Sequence, residues 1–256
     1  MSRISELFER KKQHILNVYC TAGFPALNST MEVMKSLQES GADMIELGMP
    51  YSDPLADGPV IQASGAKALE QGMTIHVLFD QLAGLRPAIH LPVILMGYLN
   101  PVLQYGFEKF CRRAAELGVD GLIIPDLPIY EFETEYGAVI RDCGLDFIFL
   151  ITPETSDERI RKIDELSSGF VYAVSSSSTT GKDKDFGSLN NYFTRIQSLQ
   201  LQNPVLVGFG IRDKASFEAV SAFAAGAIVG SAYIKAIEKA PDLKSATRQF
   251  VDSLIK

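Results

Sequence analysis

Residues 29–50 read STMEVMKSLQESGADMIELGMP, and the fold is decided there. Met31, Met34 and Leu37 fall at helical spacing within Ser29–Ser40, a glycine stands at position 41, and DMIELGM (43–49) is a short apolar run of strand type. A glycine in that place supplies the left-handed cap that turns a chain out of a helix and back toward a sheet. The unit recurs on both sides. Strand-like runs stand at 15–22, 92–98, 120–126, 146–152, 170–176, 204–210 and 226–231. Helix-like segments lie between many of them, at 107–117, 130–142, 156–166, 189–201 and 213–222, and one more, Ser2–Lys12, precedes the first strand. The strings ELGVD, RDCGLD and AAGA repeat the glycine before a strand. About eight β/α repeats in a chain of this length predict an α/β protein of the (β/α)8 TIM-barrel class. That barrel would form one domain over residues 1–256, with an extra N-terminal helix and a short helix after strand eight. A doubly wound open sheet is the rival, but no G-x-G-x-x-G follows the first strand.

Composition narrows the function. The 256 residues are 46% hydrophobic and 21% charged, as in globular proteins, and the net charge of −7 disfavours a nucleic-acid binder, which needs a basic face. Three scattered cysteines, Cys20, Cys111 and Cys143, show no metal-ligand spacing and fit a reducing compartment. The start, MSRISELFERKK, carries charges where a signal peptide has its apolar core, and the charge-free runs near 89–107 and 219–234 are broken by Pro, Asn, Gln, Gly or Ser. A cytoplasmic protein without a membrane span is expected.

In a barrel of this class the chemistry sits where the strands end and in the loops that follow. Glu46 interrupts the apolar second strand near that end. A carboxylate buried there is costly unless it is paired or functional, and position alone leaves both readings open. The next stretch, GMPYSDPLADGP (48–59), is long for a βα loop and holds Asp53, Asp57 and three prolines. Asp-Pro and Asp-Gly are ordinary turn pairs, but a stiff polar loop over a barrel mouth can also hold a carboxylate in place. GFG (208–210) follows strand seven, and GSAYIKAIE (230–238) follows strand eight as a short helix opened by Gly230 and Ser231. Loops seven and eight with a short extra helix form the common phosphate site of such barrels. No lysine stands on a predicted strand, as a Schiff-base aldolase would need. The three histidines, His14, His76 and His90, fall away from the mouth, so no metal is expected.

The string IELGMPYSDPLADGPVIQ (45–62) resembles the signature of the tryptophan synthase alpha chain family almost residue for residue. The likeness runs along the chain through YCTAGFP (19–25), LMGYLNP (95–101), IIPDLP (123–128), TTG (179–181), VGFGI (207–211) and VGSA (229–232). It implies a lyase of tryptophan biosynthesis that splits indole-3-glycerol phosphate into indole and glyceraldehyde 3-phosphate by a retro-aldol reaction. By resemblance Glu46 and Asp57 are the catalytic pair. Tyr19 and Phe209 line the indole pocket, and Tyr172 sits beside the glutamate. Thr180 contacts the aspartate, and Gly181, Gly210, Gly230 and Ser231 hold the phosphate. The resemblance also implies a beta chain as partner in an α2β2 assembly, with pyridoxal phosphate on that chain and none on this one. Asp53 and the loop around Pro128 match the contact surface for the partner.

The sixth loop, SSSSTTGKDKDFG (175–187), departs from the family pattern. Ser178 stands where a glycine is usual and Thr179 where valine is frequent, while Thr180 and Gly181 are kept. Glycine reaches backbone angles that serine adopts only at a cost, so a changed loop path is expected. Two alternatives remain at this point. One is another cofactor-free lyase or isomerase barrel acting on a sugar phosphate. The other is a weakly active or non-enzymatic subunit that mainly activates a beta chain.

Overall fold

The apolar runs become parallel strands with helices between them. The computed structural model describes residues 2–174, 186–208 and 210–256. The strands are β1 (Ile15–Thr21), β2 (Met44–Gly48), β3 (Val93–Met96), β4 (Gly121–Ile123), β5 (Asp146–Phe147), β6 (Leu150–Ile151), β7 (Val171–Val174), β8 (Val205–Gly208) and β9 (Gly226–Val229). They form one sheet in the order β5-β4-β3-β2-β1-β9-β8-β7-β6, with every described pairing parallel.

The ends of that order meet. β5 and β6 are two halves of the single run 146–152, parted only by Ile148 and Phe149. The Ile148 N–H donates to the Leu122 carbonyl on one side at 3.0 Å. On the other side the Tyr172 N–H donates to the Phe149 carbonyl, also at 3.0 Å. The sheet therefore curls into a barrel, and the eight expected runs account for its nine hydrogen-bonded segments. The fifth run is split because closure demands a stagger between neighbouring strands, and the stagger is taken up there.

Alternation along the strands sorts side chains into two cores. Outward residues such as Leu16, Val18, Ile45, Leu47 and Leu95 pack against the helices. Inward residues Ile15, Met44, Ile94, Ile123, Ile148, Phe170, Leu206 and Ile228 make a second cluster, which also takes in Ile4, Leu7 and Phe8. Those last three belong to helix α1 (Arg3–Arg10), the expected leading helix, so α1 closes the barrel floor. Arg3 adds an ion pair to Asp120 at 2.9 Å, and Ser2 Oγ donates to Asp146 at 2.6 Å. With the floor plugged, the other end is left for ligand.

Helix α2 (Thr30–Ser40) ends at Gly41 with φ 101°, and Gly118 and Gly144 play the same part with φ 84° and 70°. The fourth expected cap differs. Gly226 lies inside β9, where an added Cβ would come 2.0 Å from the Ile15 carbonyl oxygen; close strand approach demands glycine there. Segment 130–142 starts at Ile129 and includes a widened turn over Phe132–Tyr136. No helix among the described residues is long and apolar enough to cross a membrane.

Candidate active site

Glu46 occupies the middle of β2 and points into the barrel. Its neighbour across the β1–β2 ladder is Tyr19, and it is 1% exposed. Among the described residues one hydrogen bond is made to its carboxyl, from the Asn17 amide, whose Nδ2 donates to Oε2 at 3.1 Å. Burial raises the carboxyl to about 8; the Asn17 hydrogen bond opposes the rise, and the charge of Asp57 adds to it. The open question of position is thereby narrowed: no cation is paired with Glu46 among the described residues.

Asp57 ends the loop after β2, one residue before Gly58, the N-cap of helix α3 (Pro59–Glu70). Pro59 opens that helix, where a missing N–H costs nothing. The loop is tied down on both sides of the acid. The Ala56 N–H donates to the Tyr98 hydroxyl at 3.0 Å, and Gln62 Nε2 donates to the Asp57 carbonyl at 2.8 Å. The Tyr51 ring packs against Tyr98 at a 33° tilt, with centroids 5.3 Å apart. Asp57 is half-buried, and this lesser burial lifts its carboxyl only to about 6; a hydrogen bond from the Tyr98 hydroxyl opposes the rise.

Two phenols share this space. The Tyr19 hydroxyl lies over Gly48, where an added Cβ would fall 2.0 Å from it, and the Tyr172 hydroxyl lies over Gly208 at 2.2 Å by the same measure. Glycines at two strand ends therefore make the floor on which both rings rest. Burial pushes both hydroxyls up, with the charges of Asp57 and Glu46 adding to the effect, so both stay neutral donors. The structure thus brings Tyr19, Glu46, Asp57 and Tyr172 into one electrostatically coupled interior.

At the far side of the mouth, Gly230 precedes the helix Ser231–Ile237, whose start no side chain caps. A Cβ at Gly230 would meet the Tyr19 Cβ at 3.4 Å, so the helix start abuts the ring that lines the interior. Gly210, past the end of β8, is exposed with φ 75°. Ser178, Thr179, Thr180, Gly181 and Phe209 lie outside the described residues.

Two residues that were not singled out from sequence belong to the site. Asn17 gave the same signal as Glu46, a polar residue inside an apolar strand, and could have been found by it. Tyr98 gave none, since an aromatic at a strand end reads as core. The histidines are all exposed, and no group of three or more His, Cys, Asp and Glu that could hold a metal occurs among the described residues.

A family model described as tryptophan synthase alpha chain matches residues 5–254. The tryptophan synthase alpha chain of Flavobacterium johnsoniae is 52% identical over 236 residues, covering 92% of this chain and 93% of that one. That of Parabacteroides distasonis is 50% identical over 255 residues and covers 99% of each. Among solved structures, the tryptophan synthase subunit alpha of Legionella pneumophila superposes with a TM-score of 0.89 at 36% identity, over 99% of this chain and 97% of that one.

Proposed function

The chain belongs to the tryptophan synthase alpha chain family, lyases that cleave indole-3-glycerol phosphate, and from that premise we propose that Glu46 moves the protons of the cleavage while Asp57 steadies the indole ring. The observation that carries the assignment is the unequal burial of the two carboxyls: Glu46 is sealed inside the barrel with only an amide hydrogen-bonded to it among the described residues, and Asp57 is half-buried on its loop, so burial holds the first at about 8 and the second at about 6. Near neutral pH the first is mostly protonated and the second mostly ionised, the division of labour that acid–base chemistry with two carboxyls requires.

The Glu46 carboxylic acid gives its proton to indole C3, and positive charge develops on the ring nitrogen. The Asp57 carboxylate accepts the ring N–H and stabilises that charge. The Glu46 carboxylate then takes the proton of the glycerol hydroxyl next to the scissile bond. As the carbon–carbon bond breaks, its electrons return to the ring, the hydroxyl carbon becomes the aldehyde of glyceraldehyde 3-phosphate, and Glu46 ends protonated as it began. Tyr19 and Phe209 wall the ring, and Tyr172 sits beside Glu46. Gly210, Gly230, Ser231 and Gly181 hold the phosphate by backbone N–H groups, and Thr180 steadies Asp57. Two carboxyls suffice for this chemistry on the alpha chain, and the pyridoxal phosphate belongs to the beta chain.

The partner reading has a surface to support it. Leu55 is 90% exposed, Tyr130 73% and Leu103 42%. They follow β2, β4 and β3, three adjacent strands, and the loops are linked by Asn100 Nδ2 donating to Tyr51 at 3.2 Å and the Leu99 N–H donating to Asp126 at 2.9 Å. Apolar side chains beside the catalytic loop, together with Asp53 and Pro128, suit a beta chain in a cytoplasmic α2β2 complex. The 1–256 barrel acts there as one domain. Indole release from indole-3-glycerol phosphate, measured with and without a beta chain, tests the reading. A folded Glu46→Gln protein that still cleaves at the parent rate would overturn it.

A further inference from the structure

Asn17 stands one step deeper in β1 than Tyr19, with no exposed surface, and its Nδ2 lies 3.1 Å from Glu46 Oε2. Its other polar atom, Oδ1, is buried and has no hydrogen-bond partner among the described residues. An amide is an unusual thing to bury between apolar strand residues, and half of its hydrogen-bonding capacity is left over. The β1–β2 register explains the reach: Asn17 pairs with Met44 and Tyr19 with Glu46, so Asn17 looks diagonally along the inner face at the carboxyl. We propose that Asn17 is a positioning residue that hydrogen-bonds Glu46 in both of its protonation states, the Nδ2–H serving the carboxylate and Oδ1 serving the carboxylic acid. The inference rests on Glu46 being the proton carrier.

The hydrogen-bonding needs of the two states differ. A carboxylate only accepts hydrogen bonds, whereas a carboxylic acid must place one O–H. A lysine or arginine beside Glu46 would satisfy the first state alone and lock it. An apolar residue would satisfy neither. An amide carries donor and acceptor on one planar group, and half a turn about its Cβ–Cγ bond exchanges them without moving the backbone. Because Oδ1 has no partner among the described residues, the bond exchanged in that turn is the one to Glu46 itself. A carboxyl that must be acid and then base within one turnover therefore keeps its place in both halves of the cycle. The other titratable groups that feel Glu46 are Tyr19 on the inner face of β1, Cys20 on its outer face, Asp57 from the following loop and Tyr172 from β7. Tyr19, Cys20 and Tyr172 are all pushed up, and Asp57 is the one that ionises near neutrality, so none of them supplies a cation.

The test uses Asn17→Leu, close in shape and without polar atoms, and Asn17→Asp, which keeps the shape but removes the donor. For both, kcat for indole release is expected to fall about 10- to 100-fold with KM little changed. The limb of the pH–rate profile set by Glu46 should move to higher pH, because of the two bonds lost the charge-assisted one to the carboxylate is the stronger. The infrared carbonyl band of protonated Glu46, identified by its loss in Glu46→Gln, should titrate at higher pH in both variants, and further up in Asn17→Asp. Thermal unfolding and glycerol phosphate binding check that the barrel survives. A fall in kcat with an unmoved pH profile and an unmoved carboxyl band would reduce Asn17 to packing and overturn the inference. So would parent-like kinetics. If instead Glu46→Gln itself remains active, the reading of Glu46 fails first, and the two failures are told apart.

Discussion

The Tyr98 hydroxyl accepts the backbone N–H of Ala56 at 3.0 Å, which fastens the loop carrying Asp57 to the end of the third strand. The same hydroxyl favours the charged form of Asp57. Tyr98→Phe removes both effects and leaves the ring packed against Tyr51. It is expected to lower kcat/KM about 10-fold near neutral pH, the scale of one lost charge-assisted hydrogen bond. The acid limb of the profile should move to higher pH, since Asp57 then holds its proton longer. A profile identical to the parent's would mean that the loop prolines alone fix Asp57.

For the parent, kcat/KM is expected to be bell-shaped, rising as Asp57 ionises near 6 and falling as Glu46 loses its proton near 8. Glu46→Gln should lose the activity by about 10²–10⁴-fold or more, and Asp57→Asn should be comparably severe because a neutral amide cannot offset ring charge. Steady-state assays from pH 5 to 10 check both points. A rate still rising above pH 9 would remove the protonated Glu46 from the mechanism.

The barrel and its acid pair were legible in the sequence for a physical reason. A parallel strand covered on both faces is nearly all apolar, so Glu46 stands out against MIELG, and Gly41, Gly118 and Gly144 after three of the helices mark the repeat. The split of run 146–152 was not legible, because stagger is a property of the closed sheet and leaves no trace in one strand. Gly226 was misread for a related reason: local sequence shows a glycine but not the Ile15 carbonyl pressed against it. Tyr98 was invisible because its partner, an N–H of Ala56, is supplied by backbone geometry.

Gly210 has φ 75°, a backbone angle that suits glycine, and it is exposed at the mouth. Gly210→Asp would strain the turn and bring a negative charge to the proposed anion site. Binding of glycerol 3-phosphate is expected to weaken at least 10-fold, with indole binding changed far less. Calorimetry with each ligand separates the two. Equal losses for both would point to a disturbed barrel end instead of a phosphate site.

Leu55 and Tyr130 carry the exposed apolar surface beside the catalytic loop. Leu55→Asp and Tyr130→Asp are expected to weaken association with a beta chain by about 10-fold or more each. The isolated chain should keep its basal rate of indole release. Sedimentation or titration calorimetry against the beta chain reads the first effect, and the lyase assay reads the second. Unchanged affinity in both variants would place the partner elsewhere.

Burial of Glu46 also sets how stability depends on pH. The carboxyl has an ordinary value of 4.5 and is held at about 8 in the fold. Between those values the native chain binds more protons than the unfolded chain, so stability falls as pH rises through that window. Above about 8 the buried carboxylate is fully charged. Its cost then amounts to a few kcal/mol, since each tenfold change in proton affinity is worth about 1.4 kcal/mol. A glutamine at this position never ionises. Glu46→Gln should therefore be more stable than the parent at pH 9 by a few kcal/mol, while near pH 5 the two should nearly coincide. Asp57 titrates in the same direction over a narrower window, from 3.8 to about 6, and is common to both proteins. Urea unfolding of parent and variant at the two pH values measures the difference directly. If the gap between them were the same at both, Glu46 would not be carrying its burial cost, and the high proton affinity that makes it an acid in the reaction would have no source.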